Sequence, residues 1–193
     1  MNVPVISEKL FSFQEYIAFE EQSDVRHEFI NGQIVAMAGG TFNHNRIKRH
    51  LARIFENVFE PRGCSVFDDG VKLEIIENQR YTYPDVFVTC EEFEPNEEYV
   101  VKSPNIVIEV LSNSTAEYDR GDKFKLYQKV TSICYYILVD SRQVSIELFT
   151  RTDNRSLWTY QIFSELTDII DISALNISVS VQSIYENIAF GVA

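Results

Sequence analysis

The sequence lacks any uncharged apolar run of about 18 residues, the length that a membrane-spanning helix needs. Its first residues also lack the basic region followed by an apolar core that marks a secretory signal. The three cysteines, Cys64, Cys90 and Cys134, are odd in number and widely spaced, which fits neither a zinc site nor a redox pair. These absences predict a protein without a membrane span, in a cytoplasmic compartment that keeps its cysteines reduced.

Positive charge is scarce, with 17 Lys and Arg against 29 Asp and Glu and a net charge of −12. Broad, non-specific binding of nucleic acid depends on basic surface, so this balance counts against it and leaves room only for a local basic surface. The basic residues that could steer phosphates lie on two predicted helices, and a solvated helix face is the alternative interpretation. They are Arg46, Lys48, Arg49 and Arg53 on the first, and Arg120, Lys123, Lys125 and Lys129 on the second.

The residues that are present predict one folded domain over 1–193. The chain has 193 residues, 45% of them hydrophobic, and neither a repeat nor a Pro/Gly/Ser-rich linker divides it. Ser12 with Glu15 forms a capping box, and Asn31-Gly32 between apolar runs predicts a hairpin. Predicted helices cover residues 12–20, 41 or 43–59, 114–130, and 180 or 183–190. Predicted strands cover 28–37 (the hairpin), 64–68, 71–76, 81–89, 106–111, 133–140, 144–150 and 157–163, with a loop at 91–99.

These elements predict an α/β (α+β) protein, with a central mixed β-sheet flanked by helices. Two of the strands carry a carboxylate in an apolar context. Glu109 lies within Ile106-Val-Ile-Glu-Val-Leu111, and Asp85 lies between Pro84 and Val86-Phe-Val88. A buried carboxylate is costly unless it is paired, protonated or bound to a metal. If the two strands are neighbours, both carboxylates can meet one Mg²⁺ or Mn²⁺ ion. The alternative is that either carboxylate only marks the end of a strand or forms an ion pair with a lysine.

Lys123 follows the Glu109 strand on the next predicted helix, where Asp119, Lys123 and Tyr127 recur every four residues and share a face. From there the ammonium group could orient an attacking water and stabilise negative charge on a phosphate. An exposed ion pair between Lys123 and Asp119 is the alternative.

Several ordered blocks resemble the Uma-type restriction-endonuclease family (DUF820-like), which belongs to the PD-(D/E)XK nuclease superfamily. The resemblance covers residues 12–150. It is carried by Arg26-His-Glu-Phe-Ile-Asn-Gly-Gln-Ile34, Met37-Ala-Gly-Gly-Thr-Phe-Asn-His-Asn45, Tyr83-Pro-Asp-Val86, Ile108-Glu-Val-Leu-Ser112 and Tyr118-Asp-Arg-Gly-Asp-Lys-Phe-Lys-Leu-Tyr127.

The resemblance implies a restriction-endonuclease-like core in which Asp85 and Glu109 bind the metal. It also implies a departure from the superfamily pattern, because position 111, where that pattern has lysine, is Leu111. Lys123 on the following helix is the matching position. Glu28 matches an additional acidic position and is a possible accessory ligand, with a strand-edge charge beside Arg26 as the alternative.

The two histidines in these blocks carry weaker expectations. His44 could touch substrate, but capping of the helix by Asn43 with an incidental His44 is the favoured interpretation. His27 is expected to be structural.

The function expected from these residues is a Mg- or Mn-dependent endonuclease, a hydrolase acting on DNA, with Asp85, Glu109 and Lys123 as its catalytic residues. A non-catalytic binding or regulatory module on the same fold is the alternative, and the acidic charge balance favours it. A third possibility is an interaction or toxin-like protein that forms a homodimer through exposed apolar strands.

Overall fold

The computed structural model describes residues 9–37, 39–68, 70–93, 100–154 and 157–190. The chain divides into two compact units. The first comprises Met1–Gly39, Gly70–Tyr83 and Phe93–Lys102, and the second comprises Gly40–Asp69, Pro84–Glu92 and Ser103–Ala193. A single domain over 1–193 stays a prediction.

The helices are α1 (Phe13–Glu20), α2 (Phe42–Phe59), α3 (Ala116–Tyr118), α4 (Phe124–Tyr127) and α5 (Val181–Ile184), and a π-helical turn, Asp119–Lys123, joins α3 to α4. The strands are β1 (His27–Ile30), β2 (Gln33–Ala36), β3 (Ser65–Phe67), β4 (Lys72–Ile76), β5 (Arg80–Thr82), β6 (Val86–Thr89), β7 (Val100–Val101), β8 (Pro104–Leu111), β9 (Tyr135–Asp140), β10 (Ile146–Arg151), β11 (Trp158–Phe163), β12 (Ile169–Ile172) and β13 (Ile177–Ser180). Within the described residues, no helix is both long enough and apolar enough to cross a membrane.

The first unit contains a five-stranded sheet in the order β2-β1-β5-β4-β7, with α1 beside β1. The predicted capping box is confirmed, because the Glu15 amide donates to Ser12 Oγ and the Ser12 amide donates to Glu15 Oε2. The predicted hairpin is also confirmed. Asn31 and Gly32 both have positive φ, at 50° and 87°, as the turn between two closely joined antiparallel strands requires.

The second unit contains a six-stranded sheet in the order β11-β10-β9-β8-β6-β3. Strands β8 and β9 are parallel and the other neighbours are antiparallel, so the predicted mixed sheet is confirmed. Parallel strands need a crossover, and here α3, the π-helical turn and α4 provide it. The topology therefore places this helical segment directly after the strand that carries Glu109.

Helices cover both faces of this sheet. On one face α2 packs its apolar stripe against alternate residues of the strands, among them Ile47 and Leu51 against Val86, Ile108 and Val110. On the other face the crossover contributes Phe124 and Tyr127 to a cluster of aromatic rings. The remaining rings of this cluster are Tyr136, Phe149, Trp158 and Tyr160.

Several predicted elements differ from the observed ones. The strand predicted over 81–89 is two strands of different sheets, because the chain leaves β5 before Pro84, which has no amide hydrogen to donate to a ladder. The helix predicted over 114–130 is interrupted by the π-helical turn. The hairpin β12–β13 was not predicted, and the last predicted helix is only the single turn α5. Residues 94–99 of the predicted loop lie outside the described residues.

The expectation of reduced cysteines is wrong for Cys64 and Cys90, which form a disulfide, while Cys134 is free and exposed. Antiparallel pairing brings the first two together, because Ser65 of β3 faces Thr89 of β6 and the adjoining residues are therefore opposite each other. The cytoplasmic location stays a prediction.

Candidate active site

Asp85 and Glu109 meet through the pairing of β6 with β8. Val86 pairs with Ile108 in the antiparallel ladder, so Asp85, one residue before β6, lies level with Glu109. The amide of Val110 donates a hydrogen bond of 2.8 Å to Asp85 Oδ2. The structure thus brings together the two carboxylates that the sequence singled out, at the position where one strand begins beside the other.

Lys123 joins this pair from the crossover helix. Its Nζ lies 2.7 Å from Glu109 Oε1 and 3.7 Å from Asp119 Oδ1. The Tyr127 hydroxyl donates a second hydrogen bond to Glu109 Oε1, also at 2.7 Å. Lys123, Asp119 and Glu109 are all buried, so the exposed Lys123–Asp119 pair considered above is not what the structure contains. The ammonium group of Lys123, carried on the segment after β8, therefore reaches the carboxylate that lies within the apolar run.

The π-helical turn determines how these side chains are presented. Asp119 and Lys123 are its first and last residues, and the Tyr136 hydroxyl donates to the Asp119 carbonyl at 2.9 Å. Such wide turns are rare in proteins and are often found at functional sites. Tyr136 on β9 therefore anchors the turn to the sheet.

Burial dominates the electrostatics of Glu109. It raises the pKa of Glu109 to about 8, and the charges of Asp119 and Asp85 add to the rise while the Lys123 ammonium opposes it. One lysine does not compensate for the desolvation of this carboxylate and for its acidic neighbours. Further positive charge near Glu109 would lower this pKa.

The pKa of Asp85 moves in the opposite direction. Burial alone would raise it, but the His44 hydrogen bond and charge, the Val110 amide and the Lys123 charge together outweigh burial and hold the pKa of Asp85 below its usual value. Asp85 is therefore ionised at neutral pH, as a metal ligand must be.

His44 belongs to this site, which the favoured interpretation of the sequence missed. Its Nε2 lies 3.3 Å from Asp85 Oδ2. The cap of α2 is Thr41, whose hydroxyl accepts from the His44 amide, and not Asn43. Asn43 instead donates its side-chain amide to the Ala189 carbonyl.

Gly40 leaves the space that the His44 ring occupies. A Cβ atom at position 40 would lie 2.7 Å from His44 Nδ1 and 3.0 Å from its Cγ, closer than non-bonded atoms normally approach. A Cβ atom at the neighbouring Gly39 would meet nothing within 4 Å. The absence of a side chain at position 40 therefore allows the His44 ring to lie against Asp85.

The donor set suits a hard divalent cation. Asp85 and Glu109 would supply the carboxylate oxygens to such a cation, since each keeps acceptor capacity beyond the contacts described above. Among the described residues, no three His, Cys, Asp or Glu side chains are grouped to hold a metal ion. This composition is compatible with Mg²⁺, which retains several water ligands and is commonly held by one or two carboxylates.

The other predicted residues lie in the first unit. Glu28 is on β1 and is buried, and its Oε1 accepts a hydrogen bond from the Thr82 hydroxyl. His27 forms a buried pair with Glu20, at 2.9 Å between Nδ1 and Oε2, as expected for a structural histidine. The accessory role of Glu28 stays a prediction.

Comparison with known proteins identifies the family and the fold. The sequence profile of the Uma2 family, described as "Putative restriction endonuclease", matches residues 13–182. The chain belongs to the Uma2 family. This Uma2 chain is similar to two uncharacterized proteins of Synechocystis sp. (strain ATCC 27184 / PCC 6803 / Kazusa). The protein slr1290 is 36% identical over 92% of each chain, and sll1609 is 32% identical over 86% of this chain and 94% of its own.

A solved structure shows the same fold. It is a protein of Anabaena variabilis ATCC 29413, described as "a putative nuclease belonging to DUF820", with a TM-score of 0.72 at 15% sequence identity. The match covers 91% of this chain and 97% of that one. The predicted restriction-endonuclease-like fold, an α+β arrangement of mixed sheets and few helices, is confirmed for this Uma2 member.

Proposed function

We propose that this protein is a divalent-metal-dependent endonuclease that hydrolyses phosphodiester bonds of DNA, with Asp85 and Glu109 as ligands of Mg²⁺ or Mn²⁺ and Lys123 as the third catalytic residue. The observation that carries the proposal is the approach of Lys123 Nζ to 2.7 Å from Glu109 Oε1, beside Asp85. Membership of a family described as "Putative restriction endonuclease" supports the reaction class.

Each of these residues has a separate role in the proposed hydrolysis. A divalent cation held by these residues would polarise a phosphate and lower the pKa of a water ligand. Asp85, ionised and held by Val110 and His44, and Glu109, held by Tyr127 and Lys123, would supply the carboxylate oxygens. The Lys123 ammonium places a buried positive charge where negative charge develops during attack on the phosphate.

Plasmid nicking in Mg²⁺ or Mn²⁺ tests the proposal. Asp85→Asn, Glu109→Gln and Lys123→Met should each lower the rate on the order of 10²-fold or more, because each removes a group that acts on the transition state. Lys125→Met is the matched control. Lys125 lies two residues from Lys123, but its side chain is 73% exposed and pairs only with Asp122 among the ion pairs described, so this variant should cut normally. Nicking that persists in both carboxylate variants would refute the assignment.

A non-catalytic binding module is the second candidate, and the net charge of −12 favours it. Calorimetry with Mn²⁺ separates the two. Metal binding that depends on Asp85 and Glu109 favours the nuclease. Absence of binding, or binding that is unchanged when both carboxylates are replaced, favours the module.

A further inference from the structure

A row of arginines follows the solvent-facing side of α2 in the second unit. Arg46, Arg49 and Arg53 are spaced three and four residues apart, so they share one face of the helix. The opposite face carries the apolar residues Ile47 and Leu51, which are buried against the six-stranded sheet. The row is therefore a consequence of helix periodicity, and all three arginines are exposed.

The arginines border a surface pocket of about 400 Å³. Its other lining residues are His50, Ala52, Glu56 and Asp68. The C-terminal segment fixes the position of α2 here, because His50 Nδ1 lies 2.9 Å from the Ile184 carbonyl oxygen and donates to it. Arg46 Nη1 lies 3.4 Å from the Asn187 carbonyl oxygen.

Two acidic residues lie near this row without an ion pair to it among the described residues. Glu56 and Asp68 line the same pocket, yet within the described part of the chain neither forms an ion pair with Arg49 or Arg53. In a protein with 29 acidic and 17 basic residues, neighbouring arginines that lack a carboxylate partner in the described part of the chain are unexpected. Guanidinium groups bind phosphate oxygens through paired hydrogen bonds, and the pocket offers several such groups to one ligand.

The length of the row indicates a polyanion rather than a single phosphate. From position 46 to position 53 the helix rises about 10 Å. One strand of duplex DNA carries a phosphate about every 3.4 Å along its axis, so the row spans about three phosphates. The same helix begins at the candidate active site, since His44 in its first turn contacts Asp85.

We infer that Arg46, Arg49 and Arg53 form a binding surface for the phosphodiester backbone of duplex DNA. This inference rests on the proposed function and adds to it a means by which an acidic protein holds its substrate. The surface reads no sequence, because its contacts are to phosphates.

Fluorescence anisotropy with a labelled DNA duplex, without divalent metal so that no cutting occurs, measures this binding over a range of salt concentrations. The variant is Arg49→Gln with Arg53→Gln. The matched control is Lys125→Gln with Lys129→Gln, which changes the net charge equally. Each lost phosphate contact lowers the magnitude of the negative slope of log K against log salt by about 0.9. The magnitude of this slope should therefore fall by about 1.8 in the arginine variant, which should bind roughly 60-fold more weakly at about 0.1 M salt.

Three further results complete the test. Arg49→Lys with Arg53→Lys keeps both charges and should retain most of the salt slope. The surface is refuted if the double arginine variant and the double lysine variant bind the duplex equally weakly, or if neither binds it more weakly than the unaltered protein. The proposed nuclease function stands in either case. If the unaltered protein does not bind the duplex at low salt, the surface is also refuted, and the nicking assay then judges the nuclease function separately.

Discussion

The replacement Gly40→Ala tests whether His44 holds Asp85 in position. The new Cβ would lie 2.7 Å from His44 Nδ1, whereas ordinary contacts at such an atom begin near 3.4 Å, so the ring must shift by several tenths of an ångström. Because Cγ is also approached, at 3.0 Å, rotation of the ring alone does not relieve the clash. The contact of 3.3 Å between His44 Nε2 and Asp85 Oδ2 is already long, and we expect displacement of the ring to weaken it.

The expected cost is that of losing a hydrogen bond to a charged acceptor, about 1.5–3 kcal/mol. Residues that orient metal ligands without touching the metal typically change its affinity by about 10- to 100-fold. We therefore expect Gly40→Ala to weaken Mn²⁺ binding, measured by calorimetry, about tenfold or more. His44→Ala should have a similar effect, and His44→Gln should recover part of the lost affinity by donating to Asp85.

Gly39→Ala is the matched control, because its Cβ would enter open space. This variant should bind Mn²⁺ normally and be unchanged or slightly more stable to unfolding, by up to about 1 kcal/mol. If Gly40→Ala and Gly39→Ala have equal Mn²⁺ affinities, His44 does not position Asp85.

Two further predictions concern stability. The side chain of Asp140 is 1% exposed; burial acts to raise its pKa, but the hydrogen bonds and charge of Arg142, with the charge of Arg120, hold it below its usual value. A lowered folded-state pKa contributes stability above the unfolded pKa of about 4 that is lost as the pH falls through the folded value. Asp140→Asn should therefore lower the free energy of unfolding by roughly 2 kcal/mol at pH 7 and make its decrease below about pH 4 shallower, as measured by urea titrations at several pH values. A decrease of this free energy below about pH 4 that is as steep as in the unaltered protein would contradict the prediction. The Cys64–Cys90 disulfide closes a loop with a sequence separation of 26, so Cys64→Ser with Cys90→Ser should lower the free energy of unfolding by about 3.5 kcal/mol. Reductant should destabilise the unaltered protein by a similar amount and leave this variant unaffected, and equal sensitivity of both to reductant would contradict the assignment.

The parts of the site that were predictable have local signals. Glu109 stands out within an apolar run, and burial of that run in the centre of the sheet follows from its composition. Asp85 follows Pro84 at the start of another buried strand, and Lys123 shares helix spacing with Asp119 and Tyr127. Each is readable within about ten residues of sequence, and the pairing of β6 with β8 then brings the first two together.

The parts that were missed depend on contacts distant in sequence. His44 meets Asp85 only because α2 packs across the sheet, and nothing near His44 in sequence indicates that contact. Cys64 and Cys90 likewise become neighbours only when β3 pairs with β6. The hairpin β12–β13 had a usable signal, since Ile170, Ile172, Ile177 and Val179 are buried with the alternation of half-buried strands.

Calorimetric titration of Mn²⁺ into the unaltered protein, Asp85→Asn, Glu109→Gln and the control Asp122→Asn tests the central claim most directly. Asp122 is acidic and belongs to the same π-helical turn as Lys123, but its side chain is 75% exposed and pairs with Lys125. We expect the unaltered protein and Asp122→Asn to bind Mn²⁺ with equal affinity, and each of the other two variants to bind at least tenfold more weakly. Equal binding by all four proteins, or no binding by the unaltered protein, would contradict a metal site at Asp85 and Glu109.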